Sequence, residues 1–351
     1  MKKVSRVSAL LLTAVLIFSG CHAKKTSETK KPQNEPVKNE QTSDEKATIA
    51  ENKDIEIERF FADYVDSDVR PIAVMIDNDN EQARPQSGLE EAYLIYEMVV
   101  EGGATRFMAI FKNEDTEKIG PVRSSRHYFL DYALENGAIY THYGWSPKAQ
   151  SDISSLGVNN LNGVAGEGDI FWRERKFKGD WHSAYTSIKN IKSRADERKY
   201  SSSAPQKNAI TYSAEYLNME TDTAANSVML NYSGKYKTGY TYDTETKLYE
   251  KSINGNPHEM QSGETVKVKN VIIQLISDTS LGDGTDRRNV NTTGSGKGYY
   301  ITDGYCKSIT WSKSSRSGQT VYKDEDGNSL TINPGKTIIN IISPSAKIVM
   351  E

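Results

Sequence analysis

The run Gly120-Pro121-Val122-Arg123-Ser124-Ser125-Arg126-His127 brings two guanidinium groups, two hydroxyls and an imidazole close together in the chain. Arginine forks hold phosphate or carboxylate through paired hydrogen bonds, and a helix start beside them would add backbone N–H groups. The run follows a strand-like segment, Thr105 to Phe111. It leads into Ser124 to Asn136, which reads as a helix capped by Ser124 or Ser125 and closed by Gly137. Arg84 and Arg106 can approach the same strand ends, where ligands of α/β proteins collect, and so can Asp77, Glu97 and Glu101. Arg84, Arg106, Arg123, Arg126, Asp77, Glu97 and Glu101 therefore form the candidate anion or ligand site. The same mixture of charges also describes an internal ion-pair network that fixes strands. No catalytic residue is assigned.

Other chemistries find less support. The five histidines, at 22, 127, 142, 182 and 258, make no His-Glu-x-x-His pattern, and no metal is expected. Asp77-Asn78-Asp79-Asn80 starts like a calcium loop but lacks its glycine and its closing glutamate. No Gly-x-Ser-x-Gly occurs. The glycine-rich Thr293 to Gly298 lacks the spacer of a phosphate-binding loop and reads as a loop tip. No cofactor is expected. The aromatic residues Tyr128, Tyr132, Tyr140, Tyr143, Trp145, Phe171, Trp172 and Trp181 serve a core or a glycan-contacting face.

The chain has 351 residues and a formal net charge of −3, which disfavours a nucleic-acid binder. Mean hydropathy is −0.65, too polar for a polytopic membrane protein. Two cysteines exclude a disulfide scaffold. Lys2, Lys3 and Arg6 precede the apolar stretch Val7 to Phe18, which ends in Phe18-Ser19-Gly20-Cys21. Small residues before a cysteine at the end of a secretory segment resemble a bacterial lipobox. Residues 1–20 are thus read as a lipoprotein signal peptide, and Cys21 as the S-diacylglycerol and N-palmitoyl cysteine. Cleavage would shift the net charge from −3 to −6. Two acyl chains anchor a protein stably. The expected location is the cell membrane, lipid-anchored, on its outer, extracytoplasmic face. Cys306 then has no partner and reads as a buried structural thiol.

His22 to Asp54 contains no aromatic residue and many charges. It cannot bury enough surface to fold and should be a disordered tether, spanning 21–56 with Cys21, with a mean reach of roughly 30 Å. Residues 57–195 alternate strand and helix signals. Pro71 to Ile76, Tyr93 to Val100, Thr105 to Phe111 and Ala138 to Tyr143 read as strands; Ser146-Pro147 opens a helix and Thr186 to Arg198 reads as another. Residues 196–208 form a polar linker. Residues 209–351 carry repeated strand signals with turns such as Asn254-Gly255, and Asp283 to Lys297 reads as an exposed loop. The fold class is an α/β N-terminal domain followed by a mostly β C-terminal domain.

RPIAVMIDN (70–78), RPQSGL (84–89), EGGATRFMAIF (101–111), KIGPVRSSRHYF (118–129), FWR (171–173) and HSAYTS (182–187), with TGSGKGYY, ITWSK and NPGKTIINII further on, resemble the YerB-like lipoproteins. That family of Gram-positive bacteria has no established reaction. The resemblance covers nearly all of the chain after the tether and implies a two-part architecture and a surface lipoprotein, but no catalytic residues. At fold level, the arginines after a central strand are also similar to those of LytR–CpsA–Psr envelope phosphotransferases. The expected role is binding or scaffolding of cell-envelope enzymes or wall polymer, with the membrane engaged through the lipid. The alternative is an enzyme acting on an anionic, phosphorylated envelope substrate at Arg123 and Arg126.

Overall fold

The computed structural model describes residues 53–220 and 222–351. The signal segment, Cys21 and most of the expected tether lie outside the described residues. Residues 53–60 are helical, so the helix starts inside the segment read as tether, and a π-helical turn follows at Phe61–Val65. Phe60 packs against Tyr212 at 4.9 Å and Tyr64 stacks on Tyr93 at 4.8 Å, which draws this stretch onto the folded body.

One mixed sheet organises the described chain. Its strands are β1 (Ile72–Asn78), β2 (Leu94–Val99), β3 (Thr105–Phe111), β4 (Ile139–His142), β5 (Asn160–Asn162), β9 (Asn270–Leu275), β10 (Gly294–Thr302), β11 (Tyr305–Lys313), β12 (Val321–Lys323) and β13 (Thr337–Ile342). They lie in the order β12-β11-β10-β9-β13-β2-β3-β1-β4-β5, with Thr223–Ala224 added at β11. A second sheet holds β6 (Ser227–Asn231), β7 (Lys237–Asp243), β8 (Leu248–Ile253) and β14 (Ile348–Met350), with two short strands on β8. Every residue of β1 and β3 is buried, and Ile72 to Ile76 and Phe107 to Phe111 are continuous apolar runs. Helices α1 (Phe129–Glu135) and α2 (Pro147–Ser155) share a core with the Met75, Met98 and Met108 face of the main sheet. Helix α3 (Ile188–Glu197) and the second sheet share a core with its Ile76, Ile95 and Phe107 face.

The N-terminal part is mixed α/β and the C-terminal part is mostly strands, and one sheet runs through both. β2 pairs in parallel with β13, from Leu94 opposite Thr337 to Met98 opposite Ile341. Residues 196–208 lie along the N-terminal part, where Arg70 N donates to Ser202 O and Ala204 N to Asp68 O, both at 2.7 Å. Further ties cross from β11 and the loop after it to the helices. Lys313 Nζ meets Glu135 Oε2 at 2.7 Å, and Arg316 reaches Asp131 and Asp152, each at 2.7 Å.

Two expectations are corrected. The helix read from Ser124 begins at Phe129, and neither serine caps it. Ser125 is instead held extended, with Ser125 N donating to Gly144 O at 2.9 Å and its hydroxyl accepting from Tyr140 at 2.9 Å. Asp283 to Lys297 is not one loop: Arg288–Val290 is a strand and β10 starts at Gly294. The glycines there answer to packing. A Cβ on Gly296 would lie 2.7 Å from Trp311 Nε1, and one on Gly298 only 2.3 Å from Ile273 O. Elsewhere the local chemistry is as expected: Ser146 caps α2 by accepting from Ala149 N, with Pro147 in the first turn.

Candidate functional site

The nominated charges meet at the end of β1, but on two faces. Register sets Asp77 opposite Arg106, while Glu97 and Ile76 both stand opposite Phe107. Since neighbouring residues of a strand point to opposite faces, Asp77 and Arg106 share one face and Glu97 takes the other.

On the first face, the segment after Gly120 runs beside β1. Asp77 N donates to Pro121 O at 2.8 Å and Arg123 N to Met75 O at 2.9 Å. This sets Arg123 next to Asp77, with Nε 2.8 Å from Oδ2. The Nε–H is not aimed at that oxygen, so the contact is an ion pair without a hydrogen bond. His182 Nδ1 lies 2.6 Å from the same oxygen, and Trp181 Nε1 donates to His182 Nε2 at 2.9 Å. The imidazole therefore carries its proton on Nδ1 and donates it to Asp77. Burial opposes ionisation of Asp77, but the His182 hydrogen bond and the charges of Arg123 and Arg106 prevail and hold its carboxyl below the usual range. Arg126 grips both oxygens of Glu101, with Nη2 2.8 Å from Oε2 and Nε close to Oε1. Arg106 donates to Ser124 O at 2.8 Å and sits 3.6 Å from Glu101. Burial, helped by Arg126, pushes the Arg106 guanidinium down to about 10. Glu101 is also held low: Arg126 and Arg106 outweigh its burial. Gly102 and Gly103, at φ +65° and +78°, make the turn that presents Glu101.

On the second face, Glu97 is sealed. It accepts from Thr105 Oγ1 at 2.8 Å, Tyr236 OH at 2.7 Å and Thr238 Oγ1 at 3.2 Å, with Lys251 Nζ 3.4 Å away. Both side chains of the ion pair are 0% exposed. Burial pulls the Lys251 ammonium below its ordinary value, and Glu97 offsets part of that. Arg84 joins this side, donating to Asn78 Oδ1 at 2.9 Å. Gln86 donates to Asp77 O at 3.0 Å and pairs with His258 Nε2 at 2.9 Å. Burial drives the His258 imidazole well below its ordinary value.

The structure thus brings Asp77, Arg106, Arg123, Arg126 and Glu101 together and sets Glu97 and Arg84 apart from them. Within these clusters Arg123, Arg126 and Arg106 each face a carboxylate of the same chain. A cavity of about 640 Å³ at this strand end is lined by Asp79, Glu81, Arg84 and Lys235, and not by Arg123 or Arg126. Among the described residues, no three His, Cys, Asp or Glu side chains are grouped to hold a metal ion. Cys306 is buried in β11, and burial pushes its thiol up to about 12, which suppresses the reactive thiolate. Of the aromatic residues, Tyr128, Tyr132 and Tyr140 belong to the core, whereas Trp181 is 65% exposed.

Sequence reasoning missed His182 and Lys251. Lys251 had a readable signal: it falls on the buried phase of β8, between Tyr249 and Ile253. His182 lies 105 positions from Asp77 and had none beyond the HSAYTS run.

A mixed sheet shared by an α/β part and a β part, with paired charges at one strand end, defines a two-part domain. The chain belongs to the family described as protein of unknown function (DUF3048), matching its N-terminal domain over residues 62–201 and its C-terminal domain over 228–339. It is 33% identical over 283 residues to "Putative lipoprotein YerB" of Bacillus subtilis (strain 168), covering 78% of this chain and 81% of that protein. The crystal structure of the YerB protein from Bacillus subtilis superposes with a TM-score of 0.71 at 31% identity, covering 80% of this chain and 94% of that one. The family resemblance read from the motifs is therefore correct.

Proposed function

We propose that this chain is a lipoprotein held through Cys21 on the outer face of the cell membrane, and that its folded part binds or scaffolds envelope enzymes or wall polymer. One observation favours this reading over an enzyme site at these arginines: Arg123, Arg126 and Arg106 already face Asp77 and Glu101, so these charges serve the fold. The lipobox ending at Cys21 supports the anchor, as does the printed name of the Bacillus subtilis relative. In cells fed an alkyne-tagged palmitate, the wild-type chain should carry the tag and Cys21→Ser should lose it and leave the detergent fraction. An unlabelled wild-type chain contradicts the anchor. Crosslinking from intact membranes tests the binding role: a stoichiometric envelope partner is expected, and its absence contradicts the reading.

A second reading keeps Arg123 as a contact for an anionic, phosphorylated substrate. It is favoured by the unaimed Nε–H of Arg123 and by its side-chain exposure of 21%. It requires the substrate phosphate to displace Asp77 from Arg123.

A further inference from the structure

Trp172–Arg173 pairs with Ala184–Tyr185, and the chain between them forms a loop over the edge of the first cluster. Asp180 organises the loop from within, accepting from Lys176 N at 3.0 Å and His182 N at 2.9 Å. His182 pins its base to Asp77. The surface of the loop is unlike the rest of an acidic chain. Arg173, Arg175, Lys176 and Lys178 are exposed beside two exposed rings, Phe177 and Trp181. Its acids are occupied: Asp180 is turned inward, and Glu174 is taken by Lys118 at 2.6 Å and Trp172 at 2.8 Å. Arg173 stacks over Tyr143 at 4.3 Å, and Lys176 donates to the carbonyls of Gln82 and Arg84 at 3.0 and 2.9 Å. Arg175 and Lys178 form no side-chain hydrogen bond or ion pair among the described residues.

We propose that this loop docks a phosphate-bearing polyanion, with Arg175 and Lys178 on successive phosphates and Phe177 and Trp181 against the carbon faces of the units between them. The proposal deepens the binding reading above and rests on it. Unpaired cations on a net-negative chain select an anionic partner, and guanidinium suits phosphate geometry. Rings beside the cations suit a polymer of alternating charge and carbon better than a free ion.

The position of the loop favours a polymer over the lipid surface. The residues first described, 53–65, pack at the Ile72 end of β1, where Lys112 Nζ donates to Tyr64 O at 2.8 Å and Asn113 Nδ2 to Asp63 O at 2.5 Å. The loop sits at the Asp77 end, about 20 Å away along the strand. The face it forms is thus at the opposite end of β1 from residues 53–65.

The test titrates the full chain, in neutral detergent, with a glycerol phosphate oligomer and follows indole fluorescence. Saturable binding that weakens as salt rises is expected. Arg175→Glu with Lys178→Glu should reduce affinity about tenfold or more, and Phe177→Ala with Trp181→Ala about threefold or more. All are surface changes, so melting should stay within a few degrees of wild type. Unchanged affinity in the charge-reversed variant overturns the proposal. So does equal binding of uncharged polyglycerol, or binding of phosphatidylglycerol vesicles in preference to the oligomer. If the oligomer fails to bind while the crosslinked envelope partner persists, the loop assignment falls and the binding function stands.

Discussion

The Glu97 and Asp77 clusters sit back to back at one end of the same sheet, and they solve the burial of charge differently. Glu97 is closed on every side by three hydroxyls and an ammonium, none of them reaching solvent. Its donors Tyr236, Thr238 and Lys251 all come from the C-terminal part, so the cluster joins the two parts of the chain. Asp77 is equally buried, but its partners lead outward: Arg123 is partly exposed, and behind His182 lies the exposed Trp181. A sealed cluster holds the architecture; a cluster with a rim holds a surface loop in position.

The sharpest way to break this contrast is to remove one charge from the sealed side. Lys251→Met leaves Glu97 buried without its cation and should lower unfolding stability by about 3–5 kcal/mol in urea at pH 7. Adding Glu97→Gln should recover much of that. A loss below about 1 kcal/mol for the single variant would mean that the pair does not tie the parts together.

Acid should distinguish the clusters next. His258 belongs to the sealed side, and burial lowers its imidazole well below its ordinary value; His142, bonded to Gly144 O and Asn160 outside both clusters, is pushed by burial down to about 4. Both groups bind protons more readily when unfolded. Their stabilisation is complete above pH 6.5 and declines as pH falls from there, for His142 down to about 4, by roughly 3 kcal/mol. Asp77 is held low, so its contribution persists until pH drops below the ordinary carboxylate value of 3.8. Stability measured by urea unfolding should therefore fall in two stages, the first opposed in part by Asp131, whose carboxyl burial pushes up to about 6. His142→Gln with His258→Gln should flatten the first stage, and Asp77→Asn only the second. The smallest effect belongs to the rim: Trp181→Ala removes one hydrogen bond from a largely exposed ring and should cost about 1 kcal/mol or less, read by thermal melting.

How far the sequence reveals this arrangement depends on the distance over which each signal acts. Thr105 to Phe111 was legible to the residue because its burial is continuous, and the cap of α2 because Ser146-Pro147 is a local signal. Membership of the arginine cluster was legible for Arg106, Arg123 and Arg126. The grouping of Glu97 with them was not, because alternation assigns faces within one strand, while the relation between strands is set by pairing partners far away in the chain. The extended course of Ser124 and Ser125 escaped for the same reason: it follows from hydrogen bonds to Gly144 and Tyr140, not from local preference.

At the centre of this contrast, the arginines after Gly120 balance carboxylates of their own chain. Urea unfolding of Arg123→Ala tests this balance most directly. Asp77 keeps its His182 hydrogen bond but loses its nearest cation, so a loss of about 1–3 kcal/mol is predicted with an unchanged denaturant slope. Wild-type stability in Arg123→Ala, together with lost binding of pyrophosphate, would contradict the account and put the substrate-binding reading in its place.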